Sequence, residues 1–274
     1  MKLFLIVSLV LVLLAVLLIY LYQGQLIYHP LRYYSKAEEF EKVDRYSYLS
    51  GGRKQFVYVM KRDQSIPPEK VWWFFSGNAS VALHWVEFLK AVAPEKNHAY
   101  VLFDYPSYGM NAGRPNPDRI RQSVDDSLSV LAEKWGLSQS EVTSRSSTFG
   151  HSLGAAVALD TANRHGMSQV VAISPFTTMK AMAKKQFGGF LAALLSHHYD
   201  NESSVRELLS REPNVQIDIF HGEQDGLIPI AMSQSLAAMD ESGKRIRHHP
   251  VAGLGHNGMV PAIRSELLGL LNGD

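Results

Sequence analysis

Hydrophobic positions along this chain fall into three patterns, each predicting a different kind of element. From Leu3 to Leu21 only Ser8 and Tyr20 interrupt an aliphatic run. These 19 residues, at about 1.5 Å each, make roughly 29 Å of helix, close to the thickness of a bilayer's hydrocarbon layer. Short strand-like runs form the second pattern: Val71 to Phe75 (VWWFF), Ala99 to Asp104, Gln169 to Ser174, the stretch from Val215, and Arg245 to Val251. A continuously apolar run such as VWWFF suits a strand buried on both faces. The third pattern is helical spacing, clearest in Ile120, Val124, Leu128 and Leu131 between Pro117 and Trp135, with Gly136 as a stop. Helices are also expected over Val81 to Ala93, Val157 to Asn163, Ala231 to Met239 and Pro261 to Leu271.

Strands alternating with helices predict an α/β fold, a mostly parallel sheet with helices on both faces. Arg45 to Leu49 and Gln55 to Met60 read as a hairpin, with Gly51-Gly52 supplying the turn. The charged stretch from Ser35 to Asp44 reads as a short surface helix. Val142 to Phe149 (VTSRSSTF) falls where a central strand is expected and is unusually polar for one. Pro175-Phe176 opens a mostly helical insertion, about 176–211, striped with Met179, Met182, Phe187, Phe190, Leu191, Leu194 and Leu195. A stripe of this kind is either plain packing or a small lid lining an acyl pocket. No internal repeat or low-complexity segment is present.

The N-terminal run divides the chain into an anchor, 1–24, and a folded domain, 25–274. A cleaved signal peptide is the competing reading, but its apolar core is about 7–15 residues and ends in a small-x-small site. Tyr20, Tyr22 and Gln23 stand where small residues are needed. An uncleaved transmembrane helix is therefore expected, with Tyr20, Tyr22 and Tyr28 in the interfacial belt. Lys2 precedes the span and the next cation is Arg32, so the positive-inside rule puts the N-terminus in the cytoplasm and the domain across the membrane.

Composition narrows the function classes. Twenty-seven Lys and Arg against 26 Asp and Glu leave a net charge of +1, which gives no reason to expect nucleic acid as a partner. With no cysteine, disulfides, thiolate metal sites and a thiol nucleophile are excluded. No HExxH spacing, phosphate-cradling loop or dinucleotide fingerprint occurs, so neither a metal nor another cofactor is expected. Oligomeric state is not legible.

The candidate chemistry centres on Gly150-His151-Ser152-Leu153-Gly154. In G-x-S-x-G the glycines permit a strand-to-helix turn so sharp that the serine is strained and its hydroxyl exposed. A chain of this length contains that pattern by chance about one time in ten, so its surroundings decide. Asp225 follows an apolar strand in a turn, and His256 follows the next strand between glycine-rich flanks. The order serine, acid, histidine is that of one particular triad arrangement. Ser152 is then the nucleophile, His256 the base that takes its proton, and Asp225 the group that fixes the imidazole's tautomer. Asp104, Asp218 and Glu223 are rival acids that fit less well, since Asp104 precedes the serine and Asp218 lies inside its strand. The oxyanion formed on attack requires fixed donors, assigned to the backbone N–H groups of Leu153 and Asn78. Asn78 also reads as an ordinary turn asparagine.

These residues resemble the α/β-hydrolase superfamily from about Gln25 to the C-terminus. The likeness is carried by Gln25 to Pro30 (QLIYHP), Gly77-Asn78-Ala79, Asp104-Tyr105 to Gly109, Gly150 to Gly154, Ser174 to Thr177, Tyr199-Asp200-Asn201, His221-Gly222 to Pro229 and Gly255-His256-Asn257. More narrowly the chain is similar to membrane-anchored members with one N-terminal span and a small cap, near serine aminopeptidase-type domains. The resemblance implies an eight-stranded sheet whose second strand is antiparallel. Two positions depart from the family: Ser76 stands where histidine is common, and Pro106-Ser107 where arginine and glycine are common. The expected activity is membrane-tethered serine hydrolysis of small-molecule or lipid carboxylic esters or thioesters through an acyl-Ser152 intermediate. Peptide or amide hydrolysis, or a catalytically silent scaffold of the same fold, are the alternatives.

Overall fold

The computed structural model describes residues 1–33, 43–61, 63, 65–92 and 97–272. The helix expected over 35–44 falls largely outside them. Helix α1 (Lys2–Ile27) has an apolar window with none of it buried and a mean hydropathy of 3.3, and only its last turns meet the body, where Gln23 is buried. A hairpin of β1 (Asp44–Ser50) and β2 (Arg53–Lys61) follows, turned by Gly51 and Gly52 at φ +54° and +71°. Next come β3 (Lys70–Phe75), a 3₁₀ turn Ala82–Trp85, α2 (Val86–Leu89) and β4 (His98–Phe103). The helix expected from Val81 is thus broken into two short pieces. Helices α3 (Pro117–Trp135) and α4 (Gln139–Ser144), β5 (Ser146–His151), α5 (Leu153–His165) and β6 (Gln169–Ile173) complete the first half. The second half runs α6 (Met179–Phe187), α7 (Gly189–Ala193), α8 (Asn201–Arg211), β7 (Gln216–Gly222), α9 (Ile230–Ala237), β8 (Ile246–Val251), α10 (Met259–Ala262) and α11 (Arg264–Asn272).

The eight strands form one sheet in the order β1-β2-β4-β3-β5-β6-β7-β8. Strand β2 is antiparallel to both neighbours, and every pairing from β4 to β8 is parallel. Alternation of side chains across a strand explains why VWWFF is apolar throughout. Val71, Trp73 and Phe75 enter the core on one face of the sheet, while Trp72 and Phe74 enter the core on the other. Phe74 stacks on Phe149 of the adjacent strand at 4.6 Å. Each such ring withdrawn from water contributes about 1.5–3 kcal/mol.

Helix α3 matches its predicted bounds because both ends are encoded locally. The Asn116 side chain accepts from the Arg119 N–H at 2.8 Å, Pro117 occupies the first turn, and Gly136 closes the helix in the left-handed region at φ +65°. The polar stretch Val142 to Phe149 departs from expectation: its first residues are not strand. Ser138 accepts from the Glu141 N–H at 3.2 Å, and the Glu141 carboxylate accepts from the Ser138 N–H at 2.8 Å. This capping box nucleates α4 and postpones β5 to Ser146. The serines that remain in β5 are satisfied, Ser146 donating to the Val142 carbonyl and accepting from the Trp73 indole.

The insertion after β6 is an excursion closed at its base. Thr178 and Asp200 form an isolated bridge, and Asn201 donates from its N–H to the Thr177 carbonyl and from Nδ2 to the Phe176 carbonyl. Within it Gly188, at φ +84°, breaks α6 from α7. Helix α8 returns to the body and packs on α5. The Met and Phe stripe does not behave as one packed face: Met179 is buried, whereas Phe187 and Phe190 are 58% and 68% exposed.

Candidate active site

Parallel strands end at the same edge of a sheet, and loops from that edge share one crevice. The C-terminal ends of β3, β5, β7 and β8 therefore bring together Ser76 to Asn78, Ser152, the turn with Asp225, and the segment leading to His256.

Ser152 sits between β5 and α5 at φ +57°, ψ −118°, a conformation costly for any residue with a Cβ. Its N–H donates to the Ile173 carbonyl at 2.8 Å, which pins the turn to the next strand. The flanking glycines are required by contact. A Cβ on Gly150 lies 2.0 Å from the Gly154 carbonyl oxygen, and one on Gly154 lies 2.0 Å from that of Phe75. Backbone packed on backbone at both positions sets the elbow's shape.

Asp225 is the hub of the β7 turn. Its Oδ1 accepts from the N–H groups of Leu227 (2.9 Å) and Ile228 (2.8 Å), and its Oδ2 accepts from His256 Nδ1 at 2.7 Å. Burial favours the neutral acid, but the bonds from His256 and Ile228 outweigh it and hold the carboxyl below the ordinary carboxylate range. Because Nδ1 donates to a carboxylate, His256 carries its proton there and leaves the Nε2 lone pair free. His221 donates from Nε2 to the Ile228 carbonyl at 2.9 Å and lies 3.2 Å from Asp225 Oδ2, bracing the same turn. Two of the rival acids are engaged elsewhere. Asp104 accepts from the Tyr33 hydroxyl at 2.6 Å and the Ala82 N–H at 2.7 Å, and Asp218 pairs with Arg247 and His249 on β8.

His151 is a second imidazole at this edge. Its ring lies 4.9 Å from that of His256, and its Nε2 donates to the His256 carbonyl at 3.2 Å. Burial, reinforced by the neighbouring His256, drives its pKa down to about 4, so it is neutral at physiological pH. The only sequence signal for this contact was its place beside the serine. Among the described residues no hydrogen bond joins the Ser152 hydroxyl to His256, as is common before substrate tightens a site.

The Leu153 N–H, at the first position of α5, and the Asn78 N–H donate to no acceptor among the described residues. The Asn78 side chain is not an ordinary turn asparagine. Its Oδ1 accepts from the His29 N–H (2.8 Å) and the Tyr108 hydroxyl (2.6 Å), and its Nδ2 donates to the Ile27 carbonyl (2.6 Å). Ser76 is held as firmly, its carbonyl accepting from the Tyr105 hydroxyl and its Oγ from the Trp85 indole. That indole contact supplies the partner for a serine where the family commonly has histidine. A cavity of about 410 Å³ opens elsewhere, where Asn116, Asp118 and Arg121 of the α3 N-terminus face His197 and His198. No cluster of groups suited to a metal ion occurs among the described residues.

Comparison with known proteins agrees with this architecture. Residues 74–261, more than half of the chain, match the model of the alpha/beta hydrolase family, and the chain belongs to that family. An uncharacterised protein of Mycobacterium tuberculosis is 31% identical over 159 residues, covering 57% of this chain and 52% of that protein. The uncharacterised Escherichia coli protein YfhR is 25% identical over 174 residues, covering 62% and 57%. This chain spans about half the length of the curated relatives it matches. Among solved structures, an esterase from Pyrococcus furiosus superposes with a TM-score of 0.66 at 14% identity, over 90% of this chain and 96% of that one. At that identity the likeness is one of fold. The protein has the enzyme fold of the α/β hydrolases, and esterases are among the solved structures that share that fold.

Proposed function

We propose that the protein is a serine hydrolase that cleaves carboxylic esters or thioesters through an acyl-Ser152 intermediate. The observation that carries this reading is the Asp225–His256 bond at 2.7 Å, at the sheet edge where Ser152 is held in a strained elbow. His256 Nε2 takes the proton of Ser152 Oγ as that oxygen bonds to the substrate carbonyl carbon. Asp225 stabilises the imidazolium without taking a proton itself. The carbonyl oxygen becomes an oxyanion that accepts from the N–H groups of Leu153 and Asn78. Losing one such donor typically costs about 2.7–4 kcal/mol of transition-state stabilisation. Collapse breaks the bond to the alcohol or thiol, which leaves with the proton from His256. Water, deprotonated by the same imidazole, then releases the acid and restores Ser152.

The same reading makes α1 a transmembrane anchor, with its N-terminus cytoplasmic and the domain across the membrane, as in the membrane-anchored, small-cap members of the family. A span apolar on all sides, whose contacts with the body lie only in its last turns, supports it. The P. furiosus neighbour, an esterase, supports ester over amide substrates.

A fluorophosphonate probe tests the chemistry directly. The folded wild type is labelled and Ser152→Ala and His256→Ala are not; an unlabelled folded wild type makes the chain a silent scaffold. Acyl p-nitrophenyl esters turn over faster than aminoacyl amides, and the reverse ranking selects a peptidase or amidase. Protease added to sealed vesicles from the cytoplasmic side spares the domain, and degradation from that side reverses the orientation.

A further inference from the structure

We propose that the outer face of the cap, carrying Lys180, Lys184, Phe187 and Phe190, lies in the headgroup layer of a lipid bilayer and forms a second membrane contact beside α1. This inference rests on the reading of α1 as a membrane span and goes beyond it by assigning the cap's exposed face an occupant.

The depth of the cap follows from the length of α1. Its 26 residues, at about 1.5 Å each, make about 39 Å of helix, longer than a hydrocarbon layer of about 30 Å. With Leu3 to Leu21 filling the hydrocarbon, Tyr22 and Gln23 enter the headgroup layer. There Gln23 is bonded to the cap. Its Nε2 donates to the Leu194 carbonyl at 2.7 Å, and its Oε1 accepts from the Ser196 N–H at 2.8 Å. The residues that immediately follow α7 are therefore held at the depth where α1 emerges.

The chemistry of the exposed face agrees with that depth. Lys180, Lys184 and Phe187 recur at i, i+4 and i+7 on α6, so they share one face. All three are exposed, and Phe190 on α7, at 68%, is more exposed than Phe187. Aromatic rings beside lysines suit an interface, where rings enter the acyl boundary and ammonium groups reach anionic phosphates. The face also continues toward the candidate site. Lys185 donates to the carbonyls of Gly226 and Leu227 in the Asp225 turn, and Leu227 is 49% exposed. The cap thus joins the emerging span at one end and the rim of the active site at the other.

The natural chain has no cysteine, so a single Phe190→Cys in the full-length protein accepts an environment-sensitive nitrobenzoxadiazole label at one position. Leu14→Cys reports the span. Glu133→Cys reports the far end of α3, a helix of 19 residues that starts just after Pro115, whose carbonyl adjoins Gly24. In phosphatidylcholine vesicles with a minor share of phosphatidylglycerol, labels at 14 and 190 shift to the blue and are quenched by brominated phospholipid, and the label at 133 is not. Protection of position 190 from aqueous iodide exceeds that of position 133 by about tenfold. A label at 14 quenched by bromolipid, with position 190 as open to iodide as 133, leaves the span in place and overturns the cap contact; the two phenylalanines then serve a closing lid. A label at 14 open to iodide removes the span and the inference with it. Lys180→Glu with Lys184→Glu lowers protection at 190 severalfold in the mixed vesicles and leaves it unchanged in phosphatidylcholine alone; equal protection in both overturns the role given to charge.

Discussion

Asn78 donates through Nδ2 to the carbonyl of Ile27 at 2.6 Å, joining a proposed oxyanion loop to the last residue of the N-terminal helix. The same side chain accepts from the Tyr108 hydroxyl and the His29 N–H. One amide thus sets the loop after β3 against the segment leaving α1. Asn78→Ala keeps the backbone N–H but frees the loop and leaves the Ile27 carbonyl and the Tyr108 hydroxyl without this partner. Against a short soluble ester, kcat falls by roughly 10- to 100-fold, less than or near the loss of one full oxyanion donor, while KM changes little. Steady-state kinetics on the full chain measure this, and a purely KM-based loss opposes it.

His151 supports His256 by donating from Nε2 to its carbonyl, and burial keeps the His151 ring neutral at physiological pH. His151→Phe keeps the volume and removes the Nε2 donor. Kcat drops by about tenfold from mispositioning. Fluorophosphonate labelling slows in proportion but persists, whereas in His256→Ala it is abolished.

Asp104 is fully enclosed, and burial raises its pKa from 3.8 to about 6 against the opposing bonds from Tyr33 and Ala82. A carboxyl raised in the folded state favours folding while protonated. Its contribution is present below about pH 4 and is lost as pH rises through about 6, amounting to about 3 kcal/mol. Asp104→Asn removes this dependence. Its unfolding free energy therefore improves relative to wild type as pH is raised from about 4 to 7, as read from thermal or urea unfolding at matched pH.

Gly154→Ala places a methyl group 2.0 Å from the Phe75 carbonyl oxygen, with main chain on both sides. Neither side has a rotamer to yield, so α5 must lift off the sheet. Stability falls by about 3 kcal/mol or more, and probe labelling is lost because the Ser152 turn opens. Gly226→Ala, where no atom lies within 4 Å of the added carbon, is the neutral comparison.

The parts of the molecule written in local signals were legible in the sequence. Asn116-Pro117 and Gly136 mark α3 at both ends, and VWWFF announces a strand with two cores because both parities are large and apolar. The start of β5 is masked because Val142 to Ser144 falls where a strand is expected, although Ser138 and Glu141 stand in capping-box spacing. The ties of the candidate site were not legible. Asn78 reaches back 51 residues to Ile27, and Gln23 forward 171 residues to Leu194, separations that no periodicity reports. The stripe in the insertion had helical spacing, but spacing alone does not distinguish a residue facing the core from one facing outward, and Phe187 and Phe190 face outward.

Gln23 is bonded to main-chain atoms at Leu194 and Ser196 as well as to the Ser196 hydroxyl. A helix seated in this way cannot swivel beneath the domain like a rope beneath a buoy. Its azimuth is locked to the cap, so torque applied to the helix reaches the residues after α7 without slack.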